Sequence, residues 1–377
     1  MKLTVKAKEL STKMDRALGV ISAKPMTPVL EYVKLEVKSA NQAILSGTDL
    51  GQSILQRLEV ILQSEDMGSI LLPARKISEM LKNVPAAADV VVENVGEVLT
   101  LAIKSEGSKS KAKVKLPTVP VAGFPQIETI PETQANINIK SLQAITGRVD
   151  FAAPSKGGKT SVASILLEST VEDLKAVATD GFRVAVAIAK GAGAGEFSIQ
   201  LPKTLLPLLK DMGGAVLAFA QSETNFFFRS EDELVLIRKP QTVFPDYKRA
   251  YGPKYKTHLR IAVPGLLEAI NFATVLVDRT APAVDIDVKD GVMSLRAGTT
   301  LNGESEQEIE VTMSPESVAN KIRLNVKFLQ EFLTQAEGTL TFSIGGPDKL
   351  AKFSDEKGEY EYFIMPLQVA APAEAKA

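Results

Sequence analysis

The stretch KLTVKAKELSTKMDRALGVI, residues 2–21, decides the fold because its pattern occurs three times in the chain. It begins with the alternating apolar residues of a strand and continues with Leu10, Met14, Leu18 and Ile21 at helical spacing. The same change from strand to helix occurs in NINIKSLQAITGRVDFAA at residues 136–153 and in HLRIAVPGLLEAINFATVLV at residues 258–277. The pattern therefore predicts three copies of one structural unit.

Two further features recur in the same order. A second strand-to-helix step occurs as LLPARKISEMLKNV at 71–84, QLPKTLLPLLKDM at 200–212 and RLNVKFLQEFLTQA at 323–336. Each copy closes on an aromatic residue or Met before Pro, at Phe124-Pro125, Phe244-Pro245 and Met365-Pro366. Closings about 120 residues apart are too far apart for a solenoid repeat and fit one domain per copy. We predict domains at residues 1–129, 130–253 and 254–369, followed by a disordered tail at 370–377.

Each domain is predicted to be α+β. Runs such as DVVVENVGEVLTLAIKS at residues 89–105 are rich in Val, Ile and Leu and are broken by turn residues, which is typical of antiparallel strands. With two helical segments in every copy, we expect two helices packed on antiparallel sheets in each domain.

The composition excludes several classes of protein. The 377 residues are 45% hydrophobic and 24% charged, which is ordinary for a globular protein. The sequence shows neither an apolar run long enough for a membrane span nor a signal peptide, so we expect a cytoplasmic protein. Without Cys and with one His, it offers no thiolate or multi-His metal site, and we expect no metal and no cofactor. The net charge of −1 argues against coating nucleic acid by bulk positive charge.

The stretch PSKGGKT at residues 154–160 resembles half of a phosphate-binding loop. Ala153 stands where the motif GxxxxGK[ST] requires its first glycine, and a helical segment precedes the loop where a strand should. The order of elements is therefore reversed, and this basic loop needs another role.

Two strands carry opposite charges on one face. SKSKAKVKL at residues 108–116 places Lys at every second position, and NGESEQEIEV at 302–311 does the same with Glu. One strand lies in the first copy and the other in the third, which is the arrangement that a head-to-tail contact between two chains requires. The alternative is two unrelated solvated strands. The interface prediction comprises Lys111, Lys113, Val114, Leu116, Glu304, Glu306 and Glu308.

In chain order, the phrases TPVLEYVKLEV, SGTDL, LPARK, VATDGFR, FPDYKR and YFIMPL run from residue 27 to residue 367. With three such copies, the chain resembles the bacterial β sliding clamp family, the processivity subunits of replicative DNA polymerases. The resemblance implies a head-to-tail homodimer of six DNA-clamp domains that closes into a ring around duplex DNA. It also implies docking of the polymerase, a clamp loader and repair proteins through short peptides, and no enzymatic activity.

The resemblance also implies where DNA and neighbouring subunits are contacted. A ring holds DNA by topology, so its contacts should be weak and free of base readout. The predicted DNA contacts are Lys24, Arg75, Lys76, Arg148, Lys156, Lys159 and Lys203, with Lys13, Arg16, Lys82 and Lys210 as further basic residues of the inner helices. The alternative for any of these is a solvated helix face. By resemblance, Leu276 and Val277 would pack against Val114 and Leu116 of a neighbour.

The family's partner site is a hydrophobic cleft that receives a short peptide ending in apolar or aromatic residues. Transferred by matching motifs, it comprises Val162, Thr179, Gly181, Phe182, Arg183, Val184, Pro245, Arg249, Ala250, Phe328, Phe363, Met365, Pro366 and Leu367. Phe182 stands where the family usually has His, Phe328 where it often has Tyr, and Gln368 where Arg is common. These departures imply a more apolar groove. For each apolar residue alone, core packing is the alternative.

Two other classes remain as alternatives. Asp180 beside Arg183 could belong to an enzyme, but no second acid, metal set or activated nucleophile accompanies this pair in the sequence. The other alternative is a ring-shaped or repeat scaffold that binds proteins and not DNA.

Overall fold

The computed structural model of the chain describes residues 1–63, 67–105, 112–155, 163–277, 282–299 and 303–368. Four predicted site residues lie outside these ranges: Lys111, Lys156, Lys159 and Val162.

The described residues show one order of elements three times: a strand, a helix, four strands, a second helix and three strands, with an additional two-residue strand before the second helix in the first and third repeats. The first repeat contains β1 (Lys2–Lys6), α1 (Ala7–Leu18), β2 (Tyr32–Ser39), β3 (Gln42–Thr48), β4 (Gln52–Glu59), the two-residue β5 (Ile61–Leu62), β6 (Ser69–Pro73), α2 (Ala74–Leu81), β7 (Asp89–Val95), β8 (Val98–Lys104) and β9 (Ala112–Pro117). The second contains β10 (Ala135–Asn138), α3 (Ile139–Val149), β11 (Ser164–Ser169), β12 (Leu174–Thr179), β13 (Arg183–Ala189), β14 (Phe197–Pro202), α4 (Leu206–Lys210), β15 (Val216–Gln221), β16 (Asn225–Arg229) and β17 (Glu233–Arg238). The third contains β18 (Thr257–Ala262), α5 (Val263–Thr274), β19 (Ala283–Lys289), β20 (Val292–Thr299), β21 (Gly303–Glu310), the two-residue β22 (Thr312–Met313), β23 (Asn320–Asn325), α6 (Val326–Leu333), β24 (Thr339–Ile344), β25 (Ala351–Asp355) and β26 (Tyr360–Ile364).

The chain folds into two compact units, each with two sheets. The first unit contains Met1–Ile139 and Thr204–Lys239, and the second contains the described residues of Lys140–Lys203 and Pro240–Ala377. The sheets of the first unit have the strand orders β5-β1-β7-β8-β9 and β10-β15-β16-β17-β4-β3-β2-β6. Those of the second have the orders β14-β11-β12-β13-β26-β25-β24-β18-β22 and β21-β20-β19-β23. The predicted α+β class with antiparallel sheets is confirmed, and the three domain boundaries stay a prediction.

The sheets show how one repeat joins the next. β4 of the first repeat pairs with β17 of the second, and β13 of the second pairs with β26 of the third. Both junctions join the same two strands of the repeat: the third strand after the first helix and the final strand. Each large sheet is therefore continuous across a repeat boundary.

The first helix buries the stripe that the sequence indicates, up to its last turn. Leu10 and Met14 are fully buried, and Ala17 completes the stripe. Because the helix ends at Leu18, that residue is only half-buried, and Ile21 is buried from the loop that follows.

Candidate partner groove, basic residues and strand edges

The turn between β12 and β13 presents an aromatic side chain to solvent. Asp180 accepts hydrogen bonds from the backbone N–H groups of Phe182 (3.0 Å) and Arg183 (3.2 Å), and Gly181 has φ +92°, which favours glycine. Phe182 is left 63% exposed at the tip. The backbone carbonyl of Phe182 accepts a hydrogen bond from the N–H of Met365 at 2.9 Å, so the C-terminal segment is attached to this turn.

Arg183 is buried, although the resemblance places it in the peptide groove. Its guanidinium donates to Asp180 Oδ2 (2.9 Å), Glu331 Oε2 (2.5 Å) and the carbonyl of Phe151 (2.9 Å), and it lies over the Phe328 ring at 4.1 Å. These contacts occupy the guanidinium and fix the turn.

The electrostatics of this site follow from the same contacts. Burial alone would lower the pKa of the Arg183 guanidinium, but Tyr362, Glu331 and Asp180 outweigh burial and raise the pKa above its ordinary value. Asp180 in turn accepts from two backbone groups and from Arg183, so its contacts are those of a turn residue.

The other groove residues differ in accessibility. Fully or nearly fully buried are Thr179, Ala250 and Phe363. Half-buried are Val184, Phe328, Pro366 and Leu367, whereas Gly181, Pro245, Arg249 and Met365 are exposed together with Phe182. Phe363 and Ala250 belong to a core cluster with Val177, Val186 and Tyr247. A ligand can therefore contact the exposed and half-buried members, while the buried ones support them from below.

The cap of α6 positions Phe328. Asn325 Oδ1 accepts from the N–H groups of Lys327 and Phe328, at 3.0 and 3.3 Å, and so begins the helix. The carbonyl of Phe328 accepts from the hydroxyl of buried Tyr362 at 3.1 Å. Both backbone polar groups of Phe328, whose ring lies against Arg183, are thus held by hydrogen bonds.

A cleft of about 670 Å³ adjoins the C-terminal groove residues, and the sequence analysis missed its charged wall. Its lining includes Met365, Leu367, Pro347, Asp285 and Arg323. Cross-strand ion pairs line the wall, Arg323 to Asp285 at 3.4 Å and Lys321 to Asp287 at 2.8 Å. The alternation of charged and apolar residues in VDIDVK and NKIRLN is the signal that could have indicated this surface.

The predicted DNA contacts of the first unit are accessible. Lys24, Arg75 and Lys76 are all exposed, and Arg75 Nη2 donates to the carbonyl of Ser22 at 3.2 Å. This bond ties α2 to the loop that carries Lys24. The structure therefore brings these three cations to one region.

The predicted contacts of the second unit have structural partners. Lys203 Nζ donates to the carbonyls of Asp150 and Ala153, both at 2.7 Å, and Arg148 lies over the Tyr360 ring at 5.1 Å. Burial lowers the pKa of the Lys203 ammonium below its ordinary value, although Asp150 opposes this. Lys203 thus anchors the segment around Asp150 and Ala153, and a DNA-contact role for Lys203 and Arg148 stays a prediction.

Arg16 also has a structural role. It forms a two-point ion pair with Glu233 at 2.5 and 2.9 Å and donates to the carbonyl of Leu208 at 3.1 Å. The side chains of Arg16 and Glu233 are only 14% and 7% exposed, so this is a largely buried pair.

The two charged strands are sheet edges. β9 is the last strand of the five-stranded sheet and β21 the last of the four-stranded sheet. On β9, Lys113 and Lys115 are exposed while Val114 and Leu116 are half-buried. On β21, Glu304, Glu306 and Glu308 are exposed, and Glu306 pairs with Arg296 of β20 at 2.7 Å.

Exposed apolar side chains lie next to the β21 edge. The helix α5 packs on β20 and β21. At its C-terminal end Phe272 is 57% exposed and Val275 is 77% exposed, whereas Leu276 and Val277 are half-buried. The sequence analysis missed Phe272 and Val275, because a helix rich in apolar residues does not reveal which of them lies outside the core.

Among the described residues, no group of three or more His, Cys, Asp or Glu could hold a metal ion. The described helices include none that is both long and apolar enough to span a membrane.

Three internally repeated α+β units joined through continuous sheets define a DNA-clamp type of fold. Comparison with known proteins gives the same class. The family described as DNA polymerase III beta subunit, N-terminal domain, matches residues 1–128. A beta sliding clamp of Proteus mirabilis is 26% identical over 340 residues, covering 88% of this chain and 90% of the relative. One from Vibrio cholerae serotype O1 is 27% identical over 385 residues, covering 98% of this chain and all of the relative.

The fold agrees with solved structures. The DNA polymerase III subunit beta of Pseudomonas aeruginosa superposes with a TM-score of 0.87 at 22% identity, covering 98% of this chain and all of that chain. The chain is therefore similar to bacterial beta sliding clamps in sequence along most of its length, and it shares their fold. The resemblance seen in the sequence is confirmed.

Proposed function

We propose that the chain is a DNA sliding clamp that encircles duplex DNA as a head-to-tail homodimer and tethers the replicative polymerase, confers processivity and acts in the cytoplasm. The observation that carries this proposal is the pairing of consecutive repeats through the same two strands, which leaves one such strand open at each end of the series. The relatives are named as sliding clamps, and the proposed role requires no catalysis.

The first two junctions define a rule for the third. At the first, Ile54 of β4 lies opposite Val235 of β17, and at the second, Ala185 of β13 lies opposite Tyr362 of β26. Ile54 is equivalent to Ala185, and Val235 is equivalent to Tyr362, because each has the corresponding partner in the hairpin of its own repeat. The free strands of the same kind are β21 of the third repeat and β9 of the first, so a second copy of the chain can supply the missing partner.

Applied to two copies, the same register pairs opposite charges. Ser305 of β21 and Val114 of β9 stand at the positions equivalent to the central pairs of the other junctions. The neighbouring residues then match directly, with Glu304 opposite Lys115 and Glu306 opposite Lys113. No shift of register was needed to obtain this match.

The first helix of each repeat supports the same junction. Arg16, Arg148 and Phe272 are equivalent, because each is the tenth residue of its helix. Arg16 pairs with Glu233 and Arg148 lies over Tyr360, two residues that are themselves equivalent in their final strands. Phe272 would therefore contact the partner near its β9 strand, and dimerisation would cover this exposed ring.

The contributions to this interface differ in kind. Exposed ion pairs contribute about 0–1 kcal/mol each, so the charges mainly set polarity and register. Backbone pairing and the covering of Phe272, Val275, Leu276, Val277, Val114 and Leu116 would provide most of the affinity. An edge strand studded with Lys also disfavours pairing with wrong partners.

The remaining predicted sites fit this function. Exposed Lys24, Arg75 and Lys76 can contact phosphates without base readout, as sliding requires. Exposed Phe182 and Met365 offer an aromatic and a flexible apolar contact for a short partner peptide. The altered aromatic positions imply a preference for apolar peptide residues.

The test uses the absence of cysteine from the chain. In the double variant Val114→Cys with Ser305→Cys, the two thiols face each other only if β9 and β21 of two copies pair in the proposed register. The variant is reduced, incubated with nicked circular plasmid and oxidised. We expect disulfide-closed rings that stay with circular DNA in high salt and are released after the DNA is linearised.

The matched control is Val114→Cys with Glu304→Cys, in which the second thiol lies on the opposite face of β21. It should not close. Cross-linked dimers that are never retained on circular DNA would favour the scaffold alternative, and equal retention on linear DNA would show surface binding without encirclement.

A further inference from the structure

A basic cleft lies beside the proposed partner groove in the second unit. It has a volume of about 870 Å³, and its cationic lining residues are Arg249, Lys254, Lys256 and Lys349. Asp348 is the one carboxylate among the described lining residues. The cleft is therefore strongly positive in a chain whose net charge is −1.

Two of the four cations are available for a ligand. Arg249 pairs with Asp246 at 3.3 Å and Lys349 with Asp348 at 3.5 Å. Lys254 and Lys256 are exposed and, within the described ranges, form no ion pair. Their charges are thus uncompensated locally.

Backbone hydrogen bonds and close packing hold the segments that form the base of the cleft. The N–H of Lys256 donates to the carbonyl of Ile344 at 3.0 Å, and the N–H of Val318 donates to the carbonyl of Lys256 at 3.3 Å. A Cβ at Gly345 would lie 2.8 Å from the carbonyl oxygen of Lys254, so the two segments approach as closely as glycine permits. The two lysines therefore extend from a well-packed base.

The lining is also partly apolar. Val318 is 52% exposed, and Pro253 and Pro347 flank the lysines. Such a mixture suits a peptide, whose side chains combine charge with apolar contact, better than a phosphate backbone alone. Arg249 belongs both to this cleft and to the proposed groove, so one bound chain can occupy both.

We infer that the cleft binds an acidic segment that flanks the apolar core of a partner peptide, with Lys254 and Lys256 as its specificity residues. This inference rests on the proposed function of the neighbouring groove. Partners with Asp or Glu beside their apolar core would be preferred over partners with neutral or basic flanks.

The experiment measures fluorescence anisotropy of labelled peptides that share a Leu-Phe core and carry three Glu, three Gln or three Lys residues beside it. At low salt we expect the Glu peptide to bind about fivefold more tightly than the Gln peptide, as two exposed ion pairs allow. Lys254→Gln with Lys256→Gln should abolish this gain without changing the affinity for the Gln peptide.

The matched control removes two exposed lysines from elsewhere in the same unit, Lys289→Gln with Lys357→Gln, and should keep the gain. The inference is overturned if the Gln peptide binds but the Glu peptide binds no more tightly. It is also overturned if the Glu peptide keeps its higher affinity in the variant that lacks Lys254 and Lys256. Either result leaves the proposal for the groove intact. Failure of all peptides to bind overturns the groove itself. Competition by an oligo-dT that depends on the same lysines would reassign the cleft to nucleic acid.

Discussion

At the scale of single residues, equivalent positions in the repeats carry different chemistry. Arg16 closes the first junction with a buried ion pair, Arg148 stacks on an aromatic ring at the second, and Phe272 is left exposed for the third. The polar residues serve permanent junctions within the chain, whereas the apolar one is available to a separate chain.

Replacing Arg16 tests the buried pair. Arg16→Ala leaves Glu233 buried without a partner, and we expect a loss of about 3–5 kcal/mol in the free energy of unfolding. Urea unfolding followed by circular dichroism measures it. The control is Arg260→Ala, because Arg260 and its partner Glu356 are 60% and 57% exposed and their separation should cost less than about 1 kcal/mol. Equal losses in the two variants would contradict a special role for Arg16.

The candidate site residues could be identified from the sequence, but the solvent exposure of their side chains could not. Asp180 and Gly181 of the motif VATDGFR favour the turn that exposes Phe182, because Asp accepts hydrogen bonds from nearby backbone N–H groups and Gly adopts positive φ. The burial of Arg183 and the partial burial of Lys203 depend on Glu331 and on backbone carbonyls of distant segments, which no local pattern reveals. Lys and Arg have long apolar stems, so the same residue type suits a buried bond and a solvated face.

At the scale of elements, the charged edges follow directly from the sequence. Alternate Lys in one strand and alternate Glu in another predicted two exposed faces, and both strands lie at sheet edges. The register between them could not be predicted, because it depends on the pairs formed at the two other junctions.

Reversing the charges tests this register. We expect Lys113→Glu with Lys115→Glu to be monomeric, and Glu304→Lys with Glu306→Lys likewise, because each variant faces like charges at both contacts of its own dimer. An equimolar mixture should form heterodimers, since every contact then joins Glu to Lys. From the usual strength of exposed pairs, the homodimer dissociation constant should rise on the order of 100-fold in each variant. Native mass spectrometry of the separate and mixed variants measures this.

The single reversals serve as the control for register. Lys113→Glu should be rescued by Glu306→Lys and not by Glu304→Lys. If Glu306→Lys and Glu304→Lys rescued Lys113→Glu equally well, the charges would attract the two strands without fixing their register.

At the scale of the whole molecule, dimerisation depends on the coverage of apolar surface. In Phe272→Ser, each contact loses a ring that dimerisation should bury, worth about 1–2 kcal/mol per contact. We expect sedimentation velocity to show dissociation into monomers at concentrations where the unmodified chain is dimeric. Phe182→Ser is the matched control, because Phe182 is also exposed, at 63%, and belongs to the partner groove. A dimer that resists the change at Phe272, or that dissociates equally on the change at Phe182, would contradict this assignment.

The threefold repeat was the most reliable prediction, because three copies of one pattern reinforce each other. What the sequence did not indicate was that the two folded units divide the second copy between them. Local patterns define strands and turns, whereas the pairing of β4 with β17 and of β13 with β26 joins segments far apart in the chain.

That long-range pairing has a consequence for biosynthesis. β4 ends at Glu59, but its neighbour β17 begins only at Glu233, so the nascent polypeptide leaves the ribosome with an unsatisfied edge for most of the second copy. During that interval, neighbouring nascent chains on one messenger could pair through β4 and exchange strands. Slow translation of the second copy should therefore increase the demand for chaperones, and a truncated product ending before Glu233 should be recovered mainly as insoluble material.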